Sequence, residues 1–239
     1  MNNIAVIFAG GSGKRMNTVS KPKQFLEFRG KPIIIYTLEL FDLHDEIDGI
    51  VVVCLETWIP YLKKMLKKFE ITKVKAIVPG GETGQDSIYN GLECAARHFE
   101  EDSIVLIHDG VRPLIVEQTI SDNIKAATEH GNCITCVPAT ETFMVKQQNG
   151  AFVVPSRPDS LIARAPQTFI LKDILSAHEQ ARKDGIHDFI DSCTMMRYYG
   201  HTLHTIIGPM ENIKITTPTD YFIFKAMVEV HENQQIFGY

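Results

Sequence analysis

Five short apolar runs, separated by stretches of helical periodicity, constrain the fold of this chain more than any other feature. Ile4–Phe8, Ile50–Cys54, Val74–Val78, Ile104–Ile107 and Cys133–Val137 are brief and almost wholly apolar, as strands buried on both faces are. Between them, Ile33–Phe41, Trp58–Phe69, Gln85–Phe99 and Glu117–Glu129 repeat their apolar residues at helical spacing. Strand–helix repetition of this kind predicts the α/β class: a doubly wound, mostly parallel sheet with right-handed crossovers. No linker rich in Pro, Gly or Ser divides residues 1–239, so one domain is expected. Ligands of such sheets bind at the carboxyl ends of the strands. The loop after the first run and His108-Asp109 after the fourth both fall on that edge.

The first loop is built for an anion. Ile4–Phe8 empties into Gly10-Gly11-Ser12-Gly13, and Lys14, Arg15, Lys21 and Lys23 follow closely. Glycine backbone can turn its N–H groups toward a phosphate without a Cβ in the way, and cations add full charge beside it. A tight turn with solvated lysines is the plain alternative; the clustering of the cations favours a triphosphate. Two commoner phosphate loops fail on spacing. In a Walker loop Gly13-Lys14 would precede Ser or Thr and follow a Gly five places earlier, yet Arg15 and Phe8 stand there. A dinucleotide fingerprint begun at Gly11 meets Met16, and begun at Gly10 meets Ser12. A nicotinamide oxidoreductase is therefore disfavoured.

Asp109, at the end of an apolar run, poses an electrostatic question. A carboxylate beside a triphosphate is repelled unless a cation lies between them, so Asp109 is the candidate ligand of Mg²⁺, which takes one or two carboxylates plus phosphate oxygens. A capping role in the turn closed by Pro113 is the alternative. His108 is expected to be a hydrogen-bonded core residue rather than a base. A formal net charge of -5 with no basic stripe argues against nucleic-acid binding. No apolar run approaches the ~20 residues of a membrane span, and the N-terminus has no basic region followed by a signal-type core, so a cytoplasmic protein is expected. Cys133 and Cys136 form a CxxC inside an apparent strand without a second pair. They and the scattered Cys54, Cys94 and Cys193 read as core thiols in a reducing compartment.

From Ala139 to Arg164 the pattern changes to alternating apolar and polar residues around Gln147-Gln148-Asn149-Gly150. Asn-Gly between such runs signals a β-hairpin, here an insertion over 139–164. A helix over Lys172–Lys183, strands near Thr202–Ile207 and Ile213–Thr216, and a closing helix from Thr219 to Glu232 complete the expected order.

Five motifs in order, AGGSGKRM, PKQF, GGETGQDSI, HDGVRP and ENIKITTPTD, resemble the cytidylyltransferases that couple a sugar or polyol phosphate to CTP. These include methylerythritol 4-phosphate and ribitol 5-phosphate enzymes. The resemblance implies a Rossmann-like nucleotidyltransferase in which a phosphate oxygen of the acceptor attacks the α-phosphorus of CTP and pyrophosphate leaves. It implies that Arg15 and Lys23 stabilise the transition state and that Lys214 acts near the α-phosphate. CTP would lie against Phe8, Ala9, Gly10, Gly11, Ser12 and Gly13, with Gly80, Gly81 and Ser87 reading cytosine and ribose and Asp109 holding Mg²⁺. The acceptor would meet Arg112, Thr142, Arg157 and Asp191. Arg157 would come from a second subunit, the hairpin being an exchanged arm of a homodimer.

Departures from the family pattern bear on the acceptor. Gly110-Val111 replaces Ala-Ala of HDAARP, Gly84 stands where Arg is frequent, and Ile190-Asp191-Ser192-Cys193 replaces a TDEAS run. Ala165-Pro166-Gln167 lacks the usual Thr, and with it a hydroxyl contact to the acceptor phosphate. The VRP and DSC patterns resemble the ribitol branch, so ribitol 5-phosphate is favoured and methylerythritol 4-phosphate is the alternative. A non-catalytic nucleotide-binding protein is a further alternative, opposed by the retained Arg15, Lys23, Asp109 and Lys214.

Overall fold

The structure, a computed structural model, describes residues 1–10 and 21–237. Gly11, Ser12, Gly13 and Arg15 lie outside the described residues. In chain order the elements are β1 (Asn3–Ala9), β2 (Glu27–Phe28), β3 (Lys31–Pro32), α1 (Ile33–Asp42), β4 (Gly49–Cys54), α2 (Ile59–Lys68), β5 (Val74–Pro79), α3 (Gly84–Ala96), β6 (Ile104–Asp109) and α4 (Glu117–His130). They continue with β7 (Asn132–Pro138), β8 (Val145–Lys146), β9 (Phe152–Val153), β10 (Leu161–Ile170), α5 (Leu171–Lys183), α6 (Ser192–Tyr198), β11 (Thr205–Ile207) and α7 (Pro218–Phe237).

The main sheet runs β11-β7-β10-β6-β1-β4-β5. All its pairings are parallel except those of β10, which is antiparallel to both β6 and β7. All five apolar runs are strands of this sheet, and the four helical patterns are α1 to α4. Strand alternation divides the core between the two faces. Ala5 and Ile7 of β1 join the layer under α1, α2 and α4, whereas Ile4 and Val6 join the layer under α3, α5 and α6. Cys133 and Cys136 fall in opposite layers of the same strand. The CxxC thus supplies two core thiols, and burial pushes that of Cys133 up to about 12. Helix α3 packs so closely that a Cβ on Gly91 would sit 2.6 Å from Val6 and 2.7 Å from Val53 side-chain carbons.

Three expectations need correction. The first concerns β10, whose first four residues the alternation assigns to the hairpin and whose remainder carries no strand pattern. Its central residues are buried on both sides, so periodicity had no polar phase to show. The second follows from it: Leu161–Ala163 pair with Cys136–Pro138, and the Ala139 N–H donates to the Ser160 carbonyl at 3.0 Å. The hairpin insertion therefore spans 139–160, and residues 161–164 belong to the main sheet. Its turn lies where Asn-Gly placed it, with Gly150 at φ 82° and the Gln147 N–H bonded to the Ala151 carbonyl, but β8 and β9 are only two residues each. The third correction is Ile213–Thr216, which is not a sheet strand.

That segment has another job. The Ile215 side chain is fully buried with Phe28, Ile33, Val111, Leu114 and Phe224 of α7, and its N–H donates to the Val111 carbonyl at 2.9 Å. Lys214 is thereby held against the turn that follows β6.

Candidate active site

The carboxyl ends of four strands lie side by side, with Cys54 registered against Pro79 and Ala9, and Phe8 against Asp109. The chain leaves this edge through Gly80, whose N–H bonds the Cys54 carbonyl, and through Gly110, whose N–H bonds the Phe8 carbonyl. The order along the edge is thus Gly80 after β5, Gly10 after β1, then Asp109 at the end of β6.

Asp109 is the electrostatic centre. Its Oδ2 accepts from Arg112 Nε at 2.8 Å and its Oδ1 from Lys214 Nζ at 2.5 Å. Burial alone would raise its pKa, but the Lys214 and Arg112 charges and hydrogen bonds prevail and hold it down at about 2. The carboxylate is ionised throughout the neutral range. Arg112 is itself fixed by donating from Nη1 to the Asn212 carbonyl at 3.0 Å. Lys214 Nζ also lies 5.7 Å from the centre of the Phe8 ring. His108 points elsewhere. Its Nε2 bonds the Arg112 carbonyl at 3.1 Å, its ring lies 5.1 Å from that of Phe41, and burial lowers its pKa to about 4. It is a neutral core imidazole, as expected.

The glycine positions meet back to back. A Cβ on Gly10 would lie 3.2 Å from Ser87 Oγ and 3.6 Å from the Gly80 Cα; one on Gly81 would lie 2.3 Å from Asp86 Cβ. A side chain at Gly10 would crowd the GGETGQDSI segment, and one at Gly81 would clash with Asp86 of its own segment. Ser87 Oγ accepts from the Gly81 N–H at 3.0 Å and donates to the Thr83 carbonyl at 2.9 Å. Thr83 and Asp86 close a reciprocal capping box at the start of α3. Loop geometry is the first task of the Ser87 hydroxyl.

Beside these loops opens a cleft of about 280 Å³, lined among others by Phe8, Asp109, Arg112, Arg164, Asp191 and Lys214. The structure therefore brings together Phe8, Asp109, Arg112, Asp191 and Lys214 from the sequence-derived set. Asp191 caps α6, accepting the Thr194 N–H at 2.9 Å, and also bonds Gln167 Nε2 at 3.3 Å. Burial raises its pKa, but these hydrogen bonds win and lower it. Lys23 lies outside the cleft lining, half-buried, on a turn tied to β1 by the bond from Gln24 Nε2 to the Ala9 carbonyl at 2.6 Å. Thr142 and Arg157 are exposed on the hairpin and do not line this cleft.

Three cleft residues were missed. Gln85 Nε2 donates to the Ile186 carbonyl and its Oε1 accepts the Phe189 N–H, both at 3.0 Å. Gln167 Oε1 accepts the Cys193 N–H at 2.8 Å. The two buried glutamines pin residues 186–193 over the cleft; their only sequence signal was a polar residue inside a quoted motif. Arg164 had none, because it reads as the polar end of a hairpin.

Residues 3–230 match the family described as IspD: 2-C-methyl-D-erythritol 4-phosphate cytidylyltransferase. The chain belongs to the IspD family. Among its relatives, ribitol-5-phosphate cytidylyltransferase of Vibrio parahaemolyticus is 54% identical, covering 99% of this chain and 100% of that protein. The Streptococcus agalactiae serotype III protein of the same name is 52% identical over 99% of both. A 2-C-methyl-D-erythritol 4-phosphate cytidylyltransferase of Clostridium botulinum is 39% identical over 95% of this chain and 97% of that one. The crystal structure of 4-diphosphocytidyl-2C-methyl-D-erythritol synthase from Anaerococcus prevotii superimposes with a TM-score of 0.80 at 25% identity, covering 95% of this chain and 96% of that one.

Proposed function

We propose that the chain transfers the cytidylyl group of CTP to D-ribitol 5-phosphate, giving CDP-ribitol and pyrophosphate. The observation that carries this reading is full-length identity of 52–54% to ribitol-5-phosphate cytidylyltransferases against 39% to the methylerythritol branch. The cleft is chemically suited to it. In-line attack on the α-phosphorus builds negative charge on the equatorial and leaving oxygens, and fixed cations at that edge stabilise it without reorganising. Lys214 and Arg112 are held in place by Asp109 for this purpose, and Arg15 and Lys23 are assigned the same work from the first loop. No general base is needed, since the acceptor is a phosphate monoester, largely dianionic at pH 7 with a second pKa near ~6.

Gly10, Gly80, Gly81 and Ser87, with Phe8, Ala9, Gly11, Ser12 and Gly13, are assigned to CTP, whose cytosine and ribose the GGETGQDSI segment would read. Asp109 fits Mg²⁺: it is ionised, and each of its oxygens accepts one hydrogen bond and keeps a second lone pair. A single carboxylate completed by phosphate oxygens is a usual Mg²⁺ arrangement, and among the described residues there is no cluster of three or more metal-ligating side chains. Mg²⁺ there would neutralise triphosphate charge beside the carboxylate.

The same reading takes residues 1–239 as one domain and the hairpin as an arm that docks on a second copy. Phe143, Met144, Val145, Phe152, Val153 and Val154 are all at least 40% exposed along it, an apolar band that water disfavours. Thr142 and Arg157 would then reach the partner's cleft, with Arg112 and Asp191 contacting the acceptor from within. Among the described residues no helix is long and apolar enough to cross a membrane; a cytoplasmic location fits free CTP as substrate. Pyrophosphate release with CTP and Mg²⁺ should be fastest with ribitol 5-phosphate among polyol phosphates. Faster turnover of methylerythritol 4-phosphate would overturn the acceptor, and comparable turnover of ATP would overturn the nucleotide.

A further inference from the structure

Arg164 lies on β10, on the side of β6 away from β1, and its side chain lines the cleft. Arg112 and Lys214 share the carboxylate of Asp109. Arg164, by contrast, has no carboxylate within ion-pair distance among the described residues. Its Nη1 reaches only the Asn212 carbonyl, at 3.5 Å, and its Nε is buried without a partner. The Oδ1 of Asn212, in the same corner, is also buried and unpartnered. Burial and the neighbouring Arg112 guanidinium both disfavour the charge of Arg164. A half-buried guanidinium left this way is costly unless an anion completes it.

Its place on the edge says which anion. The glycine loops follow β5 and β1, Asp109 ends β6, and Arg164 comes next on β10, so nucleotide and Arg164 flank Asp109 from opposite sides. The acceptor's phosphate is the anion that has to approach from the side away from the nucleotide. Arg164 also directly precedes Ala165, which carries no hydroxyl to offer that phosphate. A planar guanidinium with its Nε free suits a phosphate monoester, which it can bind through two N–H groups.

We propose that Arg164 is the contact that binds the acceptor's phosphate from within the subunit. The inference rests on the polyol-phosphate reading above and adds a specificity residue to it. It is tested in the full-length protein with Arg164→Leu, which keeps bulk and removes charge, and Arg164→Lys, which keeps charge. Loss of one charge-assisted contact should raise KM for ribitol 5-phosphate roughly 10- to 100-fold, with KM for CTP unchanged and part of the loss restored in Arg164→Lys. Inorganic phosphate, competing with the acceptor, should lose potency against Arg164→Leu by a similar factor. Unchanged KM for the acceptor, an equal rise for CTP, or no advantage of Lys over Leu would overturn the assignment. If the parent protein turned over no polyol phosphate, the reading of the reaction would fail separately. Calorimetry with inorganic phosphate would then decide for Arg164: binding lost in Arg164→Leu upholds an anion contact, and equal binding refutes it.

Discussion

Replacing Asp109 by Asn removes one charge and little volume, and its effect can be estimated in two ways. The carboxyl sits at about 2 rather than 3.8; at ~1.4 kcal/mol per unit this is worth about 2 kcal/mol of stability near neutral pH. Removing one partner of a buried ion pair typically costs ~3–5 kcal/mol, but the Lys214 side chain is 37% exposed and can turn to water. We therefore expect a loss of about 2–3 kcal/mol, a fall in Tm of roughly 4–12 °C for a chain of this size. The pH dependence gives the sharper test. A carboxyl whose folded pKa is depressed contributes stability that is present above 3.8 and is lost as pH falls toward about 2. The gap between parent and Asp109→Asn, followed by urea unfolding, should be full at pH 7 and close across that window, because a protonated Asp resembles Asn. Turnover should drop by roughly 10²–10³, with weakened Mg²⁺ dependence. A gap independent of pH, or a variant as stable and active as its parent, would show that Asp109 does not organise Arg112 and Lys214.

The acid limb of kcat/KM should follow the acceptor, whose second ionisation lies near ~6, since Asp109 stays ionised to about 2; a phosphonate analogue, ionising higher, should move the limb upward, and an unmoved limb would implicate a protein group. Gly91→Ala should lower stability by about 1–3 kcal/mol through overpacking on Val6 and Val53, with KM values intact in the folded fraction; an unchanged Tm would mean that α3 can shift at little cost. Mixed dimers joining an Arg157→Ala subunit to a Lys23→Ala subunit should regain part of the parental rate, because both lesions fall in one site. Verified heterodimers without recovery, or a monomer by light scattering, would refute the shared arm.

How much could be read in advance depended on the physics that each residue answers to. β1, β4, β5, β6 and β7 were legible because strands buried on both faces are short, apolar and bounded by polar turns. The Asn149-Gly150 turn was legible because few residues tolerate the φ of 82° found at Gly150. Gly10 was legible as loop chemistry, and Gly80 and Gly81 through the family resemblance, though not as neighbours. β10 was not legible: its Ala165-Pro166-Gln167 centre looks like a loop, and only its berth between β6 and β7 makes it a strand.

The sequence by itself determined the α/β class, the edge where ligands collect and the place of Asp109 on it, since periodicity and local turn chemistry act over a few residues; Arg112, Asp191 and Lys214 entered only through the family resemblance. Tertiary structure alone decided that Lys214, 105 positions after Asp109 in the numbering, shares its carboxylate, because Ile215 is drawn into a core built from α1, α7 and the turn after β6. It alone turned Arg164 from the end of a hairpin into a cation of the same cleft without an ion-pair partner among the described residues. Charge pairing depends on distance and burial, and both are set by which strands become neighbours.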